Sequence, residues 1–200
     1  MVRSLESHVT YFERWARMWE RQSMMRARFV AGDAKLGQAL LDALAPAVWG
    51  PVSDEDRREM RRMKARIEAE RVPVNDDPAF HLKLGPGAMA DVEFCTQMLQ
   101  LDRGVRDTGT LAALATMSED GLLSDDTEVL AEAYRFCEST RNRWFLVKGG
   151  RADSIPQGLG LATLARSLGT TGPDLRDRYR QVTRRARRVV EQRFYGGLEG

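Results

Sequence analysis

The sequence predicts a mainly α-helical bundle carrying one short strand-and-turn insertion near residues 79–90. Three observations predict it. Apolar residues recur at three- and four-residue steps through most of the 200 residues. Helix start and stop signals punctuate those runs. One stretch, Phe80-His81-Leu82-Lys83-Leu84, instead alternates with period two. On this pattern the chain divides into flanking helices over 1–72, the strand-and-turn insertion over 73–90 and a C-terminal helical bundle over 91–200.

Taken in order, residues 6–31 read as one long helix, with Val9, Phe12, Trp15, Trp19, Met25 and Phe29 on its apolar side. Gly32 is its natural stop and Asp33 the cap of the next helix. That second helix carries Leu36, Leu40 and Leu44 and is expected to stop before Pro46, which lacks an N–H. Ser53-Asp54-Glu55-Asp56 starts a third, with its acids at the positive end of the helix dipole. Met60, Met63 and Ile67 give it one narrow stripe among arginine, lysine and glutamate, so it is expected to face solvent or a partner. A loop with Pro73, Asn75, Asp76, Asp77 and Pro78 leads into the alternating stretch, which Gly85-Pro86-Gly87 ends. A helix begins near Met89 with Val92, Cys95 and Leu99 on one side, and others follow at 110–118, 125–147, 159–168 and 173–194. The last has Leu175, Tyr179, Val182, Ala186, Val189 and Phe194 as an inward stripe and Pro173 in its first turn.

Charge and composition narrow the function. Basic residues number 31 and acidic ones 29, and only Lys35, Lys64, Lys83 and Lys148 are lysine. A net charge of +2 argues against a protein that coats nucleic acid by bulk charge. Cys95 and Cys137 cannot make a disulfide framework, and with His8 and His81 they fit no zinc spacing. No apolar run approaches the roughly 18–20 residues that span a bilayer, and no signal-peptide core is present, so a cytoplasmic protein with reduced thiols is expected. Residues 57–71 hold seven basic and three acidic side chains, and 176–193 hold eight arginines against Asp177 and Glu191. The stretch 102–132 is acidic, with Asp102, Asp107, Glu119, Asp120, Asp125, Asp126, Glu128 and Glu132. Basic helices facing that stretch, or facing a partner protein, account for these charges better than phosphate contacts do. Trp15, Trp19, Trp49 and Trp144 read as core or interface anchors. No nucleophile–base arrangement is present, and no strand is followed by the paired carboxylates that hold two magnesium ions.

The unit from His81 to Phe94 is the most informative. On a strand, His81 and Lys83 share the face opposite Phe80, Leu82 and Leu84. Gly85 and Gly87 allow close backbone approach, and Asp91 and Glu93 open the following helix. Two readings stand: Lys83, Asp91 and Glu93 form the rim of a nucleotide or metal site, or the unit is a capped helix start with a surface lysine. The glycines match neither a Walker A loop nor a dinucleotide fingerprint. A lone strand cannot satisfy its own backbone, so its partner is expected in a sheet outside this sequence.

Several segments carry a family resemblance. Tyr11-Phe12-Glu13-Arg14-Trp15-Ala16, Trp19-Glu20-Arg21-Gln22 and Arg26-Ala27-Arg28-Phe29-Val30-Ala31-Gly32-Asp33 resemble the bifunctional glutamine synthetase adenylyltransferase/adenylyl-removing enzymes. So do Arg61-Arg62-Met63-Lys64-Ala65-Arg66-Ile67-Glu68, the His81–Phe94 block, and the run from Tyr179-Arg180 through Thr183-Arg184-Arg185-Ala186-Arg187-Arg188 to Phe194-Tyr195-Gly196. The resemblance implies two nucleotidyltransferase domains, each followed by helices. One removes AMP from a tyrosine of glutamine synthetase and the other attaches AMP from ATP, with PII signalling protein and glutamine biasing the balance. This chain would be the helical region after the second of these domains, its residues 1–72 flanking the nucleotidyltransferase palm. Magnesium and ATP are implied for the full-length enzyme, and none is expected to be held by this chain alone. Glutamine synthetase is the implied partner, with PII protein a further one, and nucleic acid is not expected. The metal-holding Gly-Asp-x-Asp pair is absent here, so no catalytic or metal residue carries over and the chain alone is expected to be inactive. Lys83, Gly85, Gly87, Asp91 and Glu93 match the family turn as nucleotide-site candidates, while Pro86 and Ala88 depart from it.

Overall fold

The computed structural model describes residues 4–73, 76–119, 121, 123–150 and 153–196. Asn75 of the expected loop and Asp120 of the acidic stretch lie outside the described residues. Among the described residues there are nine α-helices and no strand. They are α1 (Leu5–Arg14), α2 (Met18–Met24), α3 (Ala34–Val48), α4 (Asp54–Arg71), α5 (Met89–Arg103), α6 (Thr110–Glu119), α7 (Ser124–Lys148), α8 (Gly158–Ser167) and α9 (Gly172–Val190). A single 3-10 turn, Pro78–Phe80, precedes α5, and one π turn, Glu191–Tyr195, ends α9.

Local sequence chemistry accounts for most of these boundaries. The Asp33 carboxylate accepts from the Lys35 and Leu36 amides and starts α3. Ser53 and Asp56 cap each other's backbone N–H groups at the start of α4, with Asp54 and Glu55 beside them. Pro173 sits in the first turn of α9, whose stripe of Leu175, Tyr179, Val182, Ala186 and Val189 is buried, as is Phe194 beyond it.

Three expectations change. The long first helix is two, broken at Trp15-Ala16-Arg17. Glu20 holds the break: one oxygen accepts from the Tyr11 hydroxyl at 2.7 Å and the other from the Arg17 amide at 2.9 Å. Helix α2 ends at Met24, so Gly32 is a loop residue and not the stop of a helix. The second change is that α3 runs through Pro46 to Val48. Only its last turn lies beyond the proline. The Trp49 amide closes that turn on Ala45, and burial of Leu44 and Val48 offsets the one lost backbone bond.

The third change is the strand. Residues 80–84 form no strand; one antiparallel bridge, His81 to Ser154, replaces it. The Leu82 amide donates to Asp153 O at 2.7 Å and the Ile155 amide to Phe80 O at 3.0 Å. The expected partner outside the sequence is therefore not needed, because the connection between α7 and α8 closes these groups within the chain. The expected faces fail for the same reason. His81 does not share an outer face with Lys83; it is buried, and Lys83 is exposed.

Helices α7 and α9 pack on each other at the centre, with α5, α6 and α8 around them. The main core gathers Met60, Val92, Leu114, Leu130, Val182 and Phe194. A second cluster of Phe80, Leu82, Ala88, Cys137, Ile155 and Tyr179 lies under the 80–88 turn. The arginine-rich helices do face the acidic stretch. Arg57 pairs with Asp102 at 2.6 Å, Arg193 with Asp126 at 2.7 Å, and Arg178 and Arg185 share Glu132. Trp49 and Trp144 are partly buried, but Trp15 and Trp19 are 60% and 47% exposed and so are not core anchors. Among the described residues no helix is long and apolar enough to cross a membrane.

Candidate functional site

The turn from His81 to Ala90 is built by backbone amides finding acceptors inside the fold. The Leu84 amide donates to His81 Nδ1 at 2.9 Å, so that nitrogen is an acceptor and carries no proton. The Gly85 amide donates to His81 O, and the Met89 and Ala90 amides to Leu82 O and Lys83 O. The Tyr179 hydroxyl of α9 reaches His81 O at 3.3 Å, and burial pushes that phenol well above its usual range.

Both glycines are required by packing. A Cβ on Gly85 would stand 2.6 Å from His81 O and 2.8 Å from the Tyr179 hydroxyl. Gly87 has φ +71°, and a Cβ there would stand 1.9 Å from Thr183 O on α9. The close approach that the glycines allow, to a ligand or a neighbouring strand by the sequence, is in the folded chain an approach to another helix.

Asp91 is the centre of the site. It is fully buried in the first turn of α5 and tied to three elements. One carboxylate oxygen accepts from the Gly87 amide at 2.7 Å and from Arg187 Nη1 of α9 at 2.9 Å. The other faces the Lys64 ammonium of α4, which is itself 1% exposed. Burial pushes the Lys64 ammonium down, but Asp91 and Glu68 more than restore it, and the group sits above the ordinary lysine range. The Tyr195 ring lies under both cations, 5.5 Å from Lys64 Nζ and 5.2 Å from the Arg187 guanidinium.

Glu93, two residues on, accepts from the Tyr134 hydroxyl at 3.1 Å and pairs with Arg26 at 3.1 Å. Lys83 is exposed and makes no ion pair among the described residues. The five candidates thus separate by role: Asp91 and Glu93 are engaged by cations of their own chain, the two glycines pack, and Lys83 alone has its charge in solvent. Asp91 does not fit a magnesium ion, which needs oxygens at about 2.0–2.1 Å, because each of its oxygens already meets a cationic side chain. Among the described residues no three His, Cys, Asp or Glu side chains gather where they could hold a metal. Cys95 and Cys137 are buried, and burial pushes both thiols up to about 12, which leaves them unreactive in the folded chain.

Sequence reasoning missed Lys64 and Arg187. Lys64 lies four residues after Met60 and three before Ile67, inside the apolar stripe of α4, and that position was the available signal. Arg187 follows Thr183, whose carbonyl meets Gly87, by one helical turn.

Two concavities flank α4. The larger, about 1220 Å³, is lined by Arg57, Arg58, Arg61, Arg103 and Arg193 together with Val52 and Leu99. The smaller, about 520 Å³, lies between α2, α4 and α5, with Trp19, Met63, Ile67 and Phe94 as walls. Gln22 and Gln97 line it as a hydrogen-bonded pair, and Arg26, Arg66 and Arg71 complete it with Glu70.

Comparison with known proteins adds the following. Residues 57–195 match the family described as GlnD PII-uridylyltransferase, and residues 1–43 match glutamate-ammonia ligase adenylyltransferase. A bifunctional glutamine synthetase adenylyltransferase/adenylyl-removing enzyme of Streptomyces avermitilis is 44% identical over 98% of this chain and 21% of its own length. Its counterpart in Streptomyces coelicolor is 41% identical over 98% of the chain and 21% of the relative. That of Mycobacterium avium is 41% identical over 97% and 21%. The chain spans about a fifth of the length of the curated relatives it matches.

Proposed function

We propose, from the premise that this chain belongs to the bifunctional glutamine synthetase adenylyltransferase/adenylyl-removing enzyme family, that it is the helical unit supporting a nucleotidyltransferase domain. In this reading the domain attaches AMP from magnesium-bound ATP to a tyrosine of glutamine synthetase, in the cytoplasm. The helices hold the transferring domain and its protein partners, glutamine synthetase and PII signalling protein, in register. The observation that carries the reading is identity spread over 98% of the chain but only 21% of the relative, combined with a turn whose carboxylates are spent on internal cations.

Two further features support it. Trp15, Val30 and Leu36 leave apolar surface uncovered on and beside α1 and α3, the segment proposed to flank the nucleotidyltransferase palm. Lys83, with its charge in solvent, is the one candidate placed to reach a nucleotide seated against the chain from outside.

The test is incorporation of labelled AMP into purified glutamine synthetase. The 200-residue chain alone transfers none. Joined to the nucleotidyltransferase segment of the Streptomyces avermitilis relative, it supports magnesium-dependent transfer above that of the segment by itself. Transfer by the chain alone contradicts the supporting role. No gain on joining favours a stand-alone helical interaction module.

A further inference from the structure

The larger concavity carries chemistry that the supporting role does not use. It lies where the start of α4, the second half of α5 and the π turn after α9 meet, and none of its lining residues belongs to α1 or α3. Its about 1220 Å³ exceeds the roughly 300–1,000 Å³ of small-molecule sites, so a length of chain fits it better than a metabolite does.

The charges of the lining divide into answered and unanswered. Arg57 pairs with Asp102, Arg193 with Asp126 and Arg58 with Glu55. Arg61 and Arg103 have no such partner. Arg61 gives its Nε to Phe194 O at 2.8 Å, which ties α4 to the π turn, and it meets no carboxylate among the described residues. The exposed Arg103 side chain makes no hydrogen bond or ion pair among them. Asp54, the other charge of the lining, stands in the first turn of α4, where the helix dipole favours it. Two guanidinium groups are left for an incoming anion, and their planar fork matches a carboxylate.

The rest of the lining selects protein over nucleic acid. Among the described residues it holds no aromatic side chain on which a base could stack. Val52 and Leu99 offer apolar contact instead, and Gln192 of the π turn has a side-chain amide without a partner among the described residues, free to answer a peptide group.

We propose that this concavity docks an acidic peptide segment, with apolar side chains between its carboxylates, from a separate partner protein. The carboxylates meet Arg61 and Arg103, and the apolar side chains meet Val52 and Leu99. The apolar surface that suits the nucleotidyltransferase segment, at Trp15, Val30 and Leu36, shares no residue with this lining, which leaves the concavity open to another protein. Only this choice of source rests on the function proposed above.

Fluorescence polarisation with the 200-residue chain tests it, the probe being a labelled octapeptide that alternates glutamate and leucine. The octapeptide binds, and more weakly as salt rises. Forms with glutamine for glutamate or serine for leucine bind at least tenfold more weakly, and single-stranded oligothymidine of equal charge does not compete. Arg103→Ala, at an exposed helix end, weakens binding about two- to fivefold, the worth of one exposed charge pair, and Arg103→Glu weakens it further. Arg66→Ala, outside the lining, changes nothing. Melting curves of each variant separate lost folding from lost binding. Absence of octapeptide binding to the unaltered chain overturns the proposal, as does affinity unmoved by Arg103→Glu or competition by oligothymidine. A dimer of the chain that Arg103→Glu dissociates gives the face to a second copy and overturns it too. Joined to the nucleotidyltransferase segment of the Streptomyces avermitilis relative, the chain still binds the octapeptide. Loss of binding in a joined protein that melts cooperatively assigns the concavity to that segment and overturns the separate partner.

Discussion

Replacing Asp91 by alanine removes the only carboxylate among the described residues that meets both Lys64 and Arg187. Asp91 is 0% exposed and Lys64 is 1% exposed, so Coulomb attraction there is screened little by solvent. After the replacement Lys64 keeps Glu68, a group 30% exposed on the rim of α4, and the Gly87 amide loses its acceptor. Breaking a buried pair on one side costs about 3–5 kcal/mol, against about 0–1 kcal/mol for a surface pair. In a chain of this size each kcal/mol moves the melting temperature by about 2–4 °C, so a fall of about 6–20 °C is expected. Urea unfolding followed by far-ultraviolet circular dichroism reads the loss as a lower midpoint at unchanged slope. Asp91→Asn, which keeps the shape and an acceptor for Gly87, isolates the charge and is expected to lose most of the same energy. A loss below about 1 kcal/mol for Asp91→Ala, the range of an exposed pair, refutes the argument.

Two more outcomes follow from the same geometry. Gly87→Ala places a methyl group 1.9 Å from Thr183 O at φ +71°, so α9 and the turn must separate. Left-handed strain and overpacking together cost about 2–5 kcal/mol, read in the same urea assay, and a neutral substitution contradicts the contact. At high pH the buried thiols act through linkage. Cys95 and Cys137 are pushed up to about 12 from an ordinary 9.0, so the folded chain keeps protons that the unfolded chain sheds. Stability is whole below the unfolded thiol pKa and falls as pH rises toward 12, by about 1.4 kcal/mol per unit for each thiol. Urea midpoints between pH 8 and 10.5 check the slope, and midpoints flat across that range count against it.

The helices were legible because their signals are local. Capping at Asp33 and Ser53, proline at the first turn of α9 and the stripe from Leu175 to Phe194 each lie within a few residues of what they specify. What was not legible depends on residues far away in the chain. The alternation at 80–84 looks like a strand because Phe80, Leu82 and Leu84 are buried, but His81 is buried too. Its ring turns inward to accept the Leu84 amide, and the groups that a sheet would answer are met by Asp153 and Ile155 some seventy residues on. Lys64 reads as solvated for a similar reason, since nothing within α4 announces Asp91. The break before α2 was hidden because it is made by Glu20 reaching back to Tyr11, a tertiary contact inside an otherwise continuous helical pattern.

The resemblance singled out one turn of the chain and left its role open. Lys83, Gly85, Gly87, Asp91 and Glu93 do gather around one turn, yet the contacts formed by four of them are to α4, α7, α9, Arg26 in the loop after α2, and the turn itself. Spacing alone cannot distinguish a glycine that admits a ligand from one that admits a neighbouring helix, because both need the same missing Cβ.

Amide hydrogen exchange on the 200-residue chain in isolation tests the central claim most directly. The amides of Leu82, Leu84, Gly87 and Ala90 each have an acceptor inside the chain, and Gly87 donates to the buried Asp91. They are expected to exchange as slowly as the core of α7 and α9, opening only with global unfolding. Exchange of these four at the rate of an open loop, while α7 and α9 stay protected, would show that the turn waits for a partner sheet after all.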